Sequence, residues 1–343
     1  DVIHSVSYLC RGRKIHHIVP LDEFEVELAA VLREHLRLSG MTISQVRPFR
    51  DKLAMRQVTH EAGISVPPFL GILNYDELRQ FMENTPAPWV LKPRMEAGAM
   101  GIRKMADAES VWRALDELGD KQSYYLLEQF IPGDVYHADS IVFEGKILFV
   151  SIQKYGAPPM QTYHGGGVFM TRTLQSSDED YKAIQQMNSQ VIKALGFQSG
   201  VTHAEFIKSN IGGSFNFLEI AARVGGANIA DMIEAGRGIN LWEEWGRVEV
   251  ARLLGEKYEL PKSQNLHAGL LMTLARDEYP NMDSFSASEV VWKQHKPYHA
   301  GLIVASKKYE RVSELLNDYY KRLAEEYSAT GIPMGVTRTG QQG

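Results

Sequence analysis

Val201-Thr-His-Ala-Glu-Phe-Ile207 and Ser214-Phe-Asn-Phe-Leu-Glu-Ile220 are two largely apolar segments separated by a turn that contains Asn210, Gly212 and Gly213. Each reads as a strand, and the two together as a β-hairpin. A hairpin that pivots near Gly212 sets Glu205 directly opposite Glu219. Carboxylates facing each other on neighbouring strands repel, so in an otherwise apolar setting they call for a cation between them. Oxygen-only ligands favour a hard ion such as Mg²⁺, which keeps room for water and substrate phosphates. The competing reading is a pair of solvated surface carboxylates.

The residues after Glu219 weigh against that competitor. Leu218-Glu-Ile-Ala-Ala-Arg-Val-Gly-Gly-Ala-Asn-Ile229 leaves the strand, presents Arg223 and turns through Gly225 and Gly226 toward a helix. Arginine offers a permanently charged fork to phosphate or carboxylate, and an opening helix adds free N–H donors. A metal site, a cation and an anion site would then adjoin, which is what phosphoryl transfer needs, since its catalysis is mainly positioning and charge neutralisation.

Upstream, Pro88-Trp-Val-Leu-Lys-Pro-Arg-Met-Glu-Ala-Gly-Ala-Met-Gly-Ile102 reads as a short strand delivering Lys92, followed by a loop with Gly98 and Gly101. Small loop residues let backbone N–H groups approach phosphate oxygens, and a strand-anchored lysine neutralises their charge. A lysine before a glycine turn is also commonplace. No P-loop motif and no dinucleotide-binding glycine fingerprint occurs in the chain. Tyr124-Tyr-Leu-Leu-Glu-Gln-Phe-Ile-Pro-Gly-Asp134 reads as an apolar strand ending at a Pro-Gly turn. Its edge could offer backbone groups to an adenine ring, and the following carboxylate could hold ribose hydroxyls.

In chain order, Asp51-Lys52 before a helix, Val90-Leu-Lys92-Pro with its glycine loop, Glu128-Gln-Phe-Ile-Pro-Gly, His203-x-Glu205 and Glu219-Ile-Ala-Ala-Arg223-x-Gly-Gly resemble the ATP-grasp superfamily, and within it the carboxylate-amine ligases of the L-amino acid ligase type. The resemblance spans residues 45–325, nearly the whole chain. It implies that Lys52 and Lys92 contact ATP phosphates and that the backbone of Glu128, Gln129, Phe130 and Ile131 binds adenine, with Asp134 on the ribose. It also implies that Glu205 and Glu219 bind Mg²⁺, with Mn²⁺ as an alternative, and that Arg223 stabilises the transferred phosphate. Two departures stand out. Many members carry an Asn two residues after the second metal glutamate, where this chain has Ala221, so coordination would lean on Glu219 and water. Only 51 residues precede Lys52, fewer than the usual first α/β domain, so that domain is expected to be reduced or incomplete.

The expected fold class is α/β of the α+β kind: an ATP-grasp fold with a partial amino-terminal α/β region (1–50), a small lobe with the glycine loop (51–135), a large lobe with the metal site (136–255), a carboxy-terminal α/β subdomain (256–327) and a flexible tail (328–343). Apolar spacing predicts a helix over 24–36 with Phe24, Leu28, Val31, Leu32 and Leu36 on one face, and another over 179–195 stopped by Gly196. Residues 136–143 and 146–155 flank Glu144-Gly145 as a second hairpin. Asn74-x-x-Glu77 reads as a capping box and Asn240 as a helix cap, and a last helix covers 307–327. On the acceptor side, the loop Tyr163-His-Gly-Gly-Gly-Val168 places His164 where it could contact or close over substrate. His203 shares a strand face with Glu205, for substrate bonding or for support. Gly226 and Asn228 mark the expected seat of a substrate carboxylate.

At 343 residues with a net charge of −5, the chain has no basic field for nucleic acid. Its single cysteine, Cys10, forms no internal disulfide, which suits a cytoplasmic setting, and no apolar run reaches the ~20 residues of a membrane span. The expected activity is an ATP-dependent, ADP-forming ligase joining a small-molecule carboxylate to an amine through an acyl phosphate, with a homodimer as a compatible assembly. A carboxyphosphate-forming carboxylase and a non-catalytic ATP-binding protein are the alternatives.

Overall fold

The computed structural model describes residues 2–160 and 167–329. His164 therefore lies outside the described residues, as does most of the expected tail. Two antiparallel sheets organise the chain. The smaller has the order β1-β4-β2-β3, formed by Phe69–Gly71, Tyr125–Gln129, Trp89–Pro93 and Arg103–Met105. The larger has eight strands in the order β11-β12-β10-β7-β6-β5-β8-β9: Val290–Lys293, His299–Ser306, His267–Leu274, Phe169–Thr173, Lys146–Tyr155, Gly133–Phe143, Gly200–Ser209 and Phe215–Ala221. Residues 256–327 thus share one continuous sheet with the strands expected in the large lobe, through the β7–β10 pairing.

Strand alternation sorts side chains into two faces. In the large sheet, Tyr136, Ala138, Ala204, Phe206 and Phe217 join Ile184, Val191 and Ile192 of the helix Glu179–Ala194 in one core. His137, Asp139, His203 and Glu205, one residue out of phase, occupy the other face. Beyond the irregularity at Ile141/Val142, that second face turns apolar and packs on the helices Ile229–Arg237 and Leu241–Leu254. In the small sheet, Trp89, Leu91 and Leu127 pack with Leu78, Val111 and Leu115 of the helices Tyr75–Asn84 and Ala108–Leu118. Lys92 and Glu128 therefore point the other way.

Asn74 and Asn240 cap their helices by accepting from the N–H groups two and three residues on, although Glu77 does not complete the expected box with Asn74. The second hairpin also forms, with Glu144 and Gly145 both at positive φ (51° and 73°), the backbone a two-residue turn requires. The helix Glu25–Leu36 differs from expectation in the face it buries. Val26, Ala29, Ala30, Leu32 and Arg33 are inside, while Phe24 lies exposed under the Arg50 guanidinium. Small alanines permit the close packing that the larger residues do not. Buried Arg33 is satisfied by the Ile18 and Met41 carbonyls at 3.0 and 2.8 Å.

Candidate functional site

Glu205 and Glu219 are register partners across β8 and β9. The route to that pairing is not a plain hairpin count. On the turn side Lys208 pairs with Phe215 and Phe206 with Phe217, and Leu218 is then the extra residue of a β-bulge that brings Glu219 opposite Glu205. The Glu205 carboxylate accepts a hydrogen bond from the Tyr155 hydroxyl at 2.8 Å. Glu219 lies 3.4 Å from the Lys52 ammonium and is about one-third exposed (35%), so its other oxygen can face a ligand. Burial alone would raise its pKa, but Lys52, Lys92 and Arg56 outweigh burial and hold it well below the ordinary carboxylate range.

Lys52 opens the helix Lys52–Glu61, which Asp51 caps through the Leu53 N–H at 3.1 Å. Asp51 also binds the Arg94 guanidinium, and the Lys52 N–H donates to the Arg94 carbonyl at 2.9 Å. The Lys52 ammonium reaches the Glu96 carbonyl at 2.5 Å. The helix start is in this way tied to the base of the loop carrying Gly98 and Gly101, both at positive φ (63° and 70°). A Cβ at Gly101 would come 3.2 Å from the Pro93 ring, whereas Gly98 has open space beside it.

Lys92 is buried and paired with the Glu128 carboxylate, which also meets Arg56 at 2.6 Å. Burial lowers the Lys92 pKa against the opposing pull of Glu128. Arg56 is fully buried, and none of its three guanidinium nitrogens has hydrogen-bond geometry to a partner. Sequence reasoning missed Arg56. Its only sequence signal is its place one helical turn beyond Lys52, on the same helix face.

The adenine expectation is narrowed. Strand β4 is not an edge; it runs between β1 and β2, and the Gln129 and Phe130 N–H groups donate to the Pro68 and Pro88 carbonyls. Of the four residues 128–131, Ile131 is the one past this pairing. The Glu128 side chain belongs to the lysine-arginine cluster. Asp134 is exposed and held by the Lys154 ammonium at 2.6 Å.

Arg223 is bound to Glu23 through Nε at 3.0 Å and Nη2 at 2.5 Å, and Glu23 also accepts from Arg50 at 2.8 Å. Two arginines thus converge on one carboxylate from the amino-terminal segment. That partner sits 200 residues away in sequence, and no local pattern announces it. Asn228 is left-handed (φ 62°) and its side chain bonds Asp231 at 2.9 Å, so it does not cap the helix Ile229–Arg237. Gly226 has open space where a Cβ would be.

His203 has protein partners at both ring nitrogens: Nδ1 to Asp139 at 2.8 Å, and Nε2 at 3.5 Å from both the Glu205 carboxylate and the Tyr155 hydroxyl. Burial lowers its pKa, but the Asp139 and Glu205 carboxylates more than reverse this and push it up to about 10. Asp139 also receives His137 Nδ1 at 2.7 Å, and His137 Nε2 meets the Thr171 hydroxyl at 2.8 Å. Asp139 and His137 were absent from the expected site, although the alternation of His137-x-Asp139 along a strand already puts both on one face. Ala221 is the register partner of His203.

The residues present fit a nucleotide and a hard cation. Three buried cations and the loop glycines lie beside paired carboxylates, a donor set of oxygens alone, and Arg56 keeps unsatisfied N–H groups.

Comparison with known proteins agrees. Residues 85–231 match the family model described as the ATP-grasp domain. An L-arginine-specific L-amino acid ligase of Bacillus subtilis is 29% identical over 243 residues, covering 69% of this chain and 58% of that enzyme. The chain thus spans less than two thirds of that relative's length. The solved L-amino acid ligase of Bacillus licheniformis superposes with a TM-score of 0.72 at 18% identity, covering 95% of this chain and 83% of that one. The biotin carboxylase domain of a 2-oxoglutarate carboxylase from Hydrogenobacter thermophilus, solved with MgADP, ADP and bicarbonate, gives 0.67 at 17% identity, over 95% and 77%. No described helix is long and apolar enough to cross a membrane. Residues 85–231 therefore form an ATP-grasp domain, set in a chain that has the fold of the ATP-grasp ligases.

Proposed function

We propose that the protein is an ATP-dependent ligase that joins the carboxylate of one small molecule to the amine of another, releasing ADP and phosphate. The observation that carries this reading is the register pairing of Glu205 with Glu219 beside the Lys52 ammonium. The relatedness to an L-amino acid ligase makes amino acids the first substrates to test.

In this reading Glu205 and Glu219 hold Mg²⁺, or Mn²⁺ in its place. When bound, the ion neutralises phosphate charge and orients the terminal phosphate for in-line attack. Lys52 and Lys92 draw the phosphates in, under a loop that Gly98 and Gly101 allow to approach closely. The Ile131 amide, beside Glu128, Gln129 and Phe130, meets the adenine edge, and Asp134 the ribose. A substrate carboxylate oxygen attacks the γ-phosphorus and the bond to the ADP oxygen breaks. The amine nitrogen then attacks the acyl carbon, the carbon–oxygen bond to phosphate breaks, and the amine loses a proton. Arg223, held beside Arg50 by Glu23, places positive charge against the negative charge on the oxygens of the transferred phosphate. Gly226 and Asn228 receive the substrate carboxylate, and His164, outside the described residues, is a further candidate contact. His203 acts through Glu205.

The test is incubation with ATP, Mg²⁺, a panel of amino acids and hydroxylamine. ADP, phosphate and a hydroxamate are expected. AMP and pyrophosphate would overturn the reading, since they report attack at the α-phosphorus.

A further inference from the structure

The mechanism of ligation makes no direct use of Asp139, yet this carboxylate is completely buried at the centre of the large sheet, two strands from the edge that carries Glu219. A buried charge is retained at a cost in desolvation that apolar packing would avoid. Its surroundings show what it does there. Asp139 receives one imidazole on each oxygen, His203 on Oδ1 and His137 on Oδ2. The His137 ring packs between the Tyr155 ring at 4.6 Å and the His203 ring at 5.1 Å, and its far nitrogen is fixed by Thr171. With Nδ1 of His203 committed to Asp139, Nε2 faces Glu205 and the Tyr155 hydroxyl, and that hydroxyl in turn donates to Glu205. The orientation of the Glu205 carboxylate is thus set by a row of side chains that starts on β7, crosses β6 and β5 and ends on β8.

A second, independent contact joins the same bond to the other half of the site. A Cβ at Gly225 would lie 2.8 Å from Asp139 Oδ1 and 2.9 Å from His203 Nδ1, closer than any side-chain carbon sits. Gly225 is not among the glycines at positive φ, so backbone freedom is not the reason for its being glycine. Space is the reason. The turn between Arg223 and the helix Ile229–Arg237 rests directly on the Asp139–His203 hydrogen bond.

We propose that Asp139 is a positioning residue for the ligase reaction: its hydrogen bond to His203 is the platform that fixes both the Glu205 carboxylate and the turn bearing Arg223, and so sets the metal end and the phosphate end of the site relative to one another. The proposal rests on the ligase reading of the site, but its consequence for cation binding does not require turnover.

The test uses the full chain with Asp139→Asn and Gly225→Ala. Asparagine keeps the size but cannot accept from both imidazoles; alanine keeps every polar group and wedges the turn off the bond. Binding of Mn²⁺ in the presence of ADP is followed by the loss of the free-ion paramagnetic resonance signal, alongside kcat and KM for ATP and the melting temperature. Outer partners of a metal ligand are commonly worth about 10–100-fold in affinity or rate. Both variants are accordingly expected to bind Mn²⁺·ADP at least about tenfold more weakly and to lose kcat/KM for ATP by at least a similar factor. A variant that melts earlier yet binds Mn²⁺·ADP like the parent would show a purely structural role and overturn the proposal. If Asp139→Asn does not fold, Gly225→Ala decides by the same readout. A parent that binds Mn²⁺·ADP but turns over no carboxylate would count against the ligase reading while the binding arm still tests Asp139. A parent that binds no Mn²⁺ would overturn both.

Discussion

The large sheet and the small sheet each bury charged side chains beside the site, and they complete them in opposite ways. In the large sheet, Asp139 has a donor on each oxygen, and Thr171, Tyr155 and His203 continue the bonding to Glu205. In the small sheet, Arg56, Lys92 and Glu128 are as deeply buried, but all three Arg56 nitrogens and one Glu128 oxygen lack hydrogen-bond geometry, although Arg56 Nε lies only 2.6 Å from that oxygen. Closed networks hold a geometry, whereas an incompletely bonded cluster with cations in excess keeps the capacity to attract an anion. The first suits ligands that must be held in place, and the second suits phosphates that arrive with the substrate.

Four substitutions test this contrast, in decreasing order of effect. Arg56→Met removes one partner of a buried pair and should destabilise the fold by about 3–5 kcal/mol in chemical denaturation, because Glu128 is left with Lys92 alone. A loss below about 1 kcal/mol would mean that the small-sheet cluster is electrostatically slack. Glu219→Gln should reduce turnover by more than about 100-fold and raise the Mg²⁺ needed for half-maximal rate, exceeding the loss expected at an outer partner. Equal Mg²⁺ dependence in variant and parent would make the glutamate pair structural. Lys92→Ala should weaken ATP binding in calorimetry by about 10–100-fold, as loss of a charge-assisted hydrogen bond of roughly 1.5–3 kcal/mol implies. Unchanged nucleotide affinity would remove Lys92 from the phosphate site.

The smallest effect concerns acid. Burial would raise the Asp139 pKa, but His203 and His137 outweigh it and hold the carboxyl far below its ordinary 3.8. Below that value the unfolded chain takes up a proton that the folded chain refuses, so stability falls with falling pH. Asp139→Asn should flatten this acid limb, measured as melting temperature against pH from neutrality down to the acid transition. An unchanged slope would show that other carboxylates govern it.

Much of the site is legible in local pattern. Alternation and turn glycines place Glu205 opposite Glu219, although the pivot count succeeds only because the bulge at Leu218 offsets a turn that is one residue out of that register. Lys52, Lys92 and the loop glycines can be read because each sits at a punctuated end of an element. The strand expected to meet adenine, Tyr125–Gln129, reads as an edge but is flanked on both sides, since strand order depends on which distant segment pairs with it, here Phe69–Gly71. The buried face of the helix Glu25–Leu36 is likewise set by its neighbours: of the expected apolar stripe only Leu32 is buried, and Phe24 is exposed.

Sequence alone determined the elements, the pairing of Glu205 with Glu219 and the family resemblance, because periodicity, turn residues and short motifs act over a few residues. Only the tertiary structure decided that Glu23 bridges Arg50 and Arg223, that Arg56 backs Glu128, and that Asp139 holds His203. Those partners are 27 to 200 residues apart where hydrogen-bonded to Glu23, and 64 apart for Asp139 and His203. Hydrogen bonds between such distant side chains depend on how sheets and helices are stacked, and burial, which gives those bonds their strength, exists only once the chain has folded.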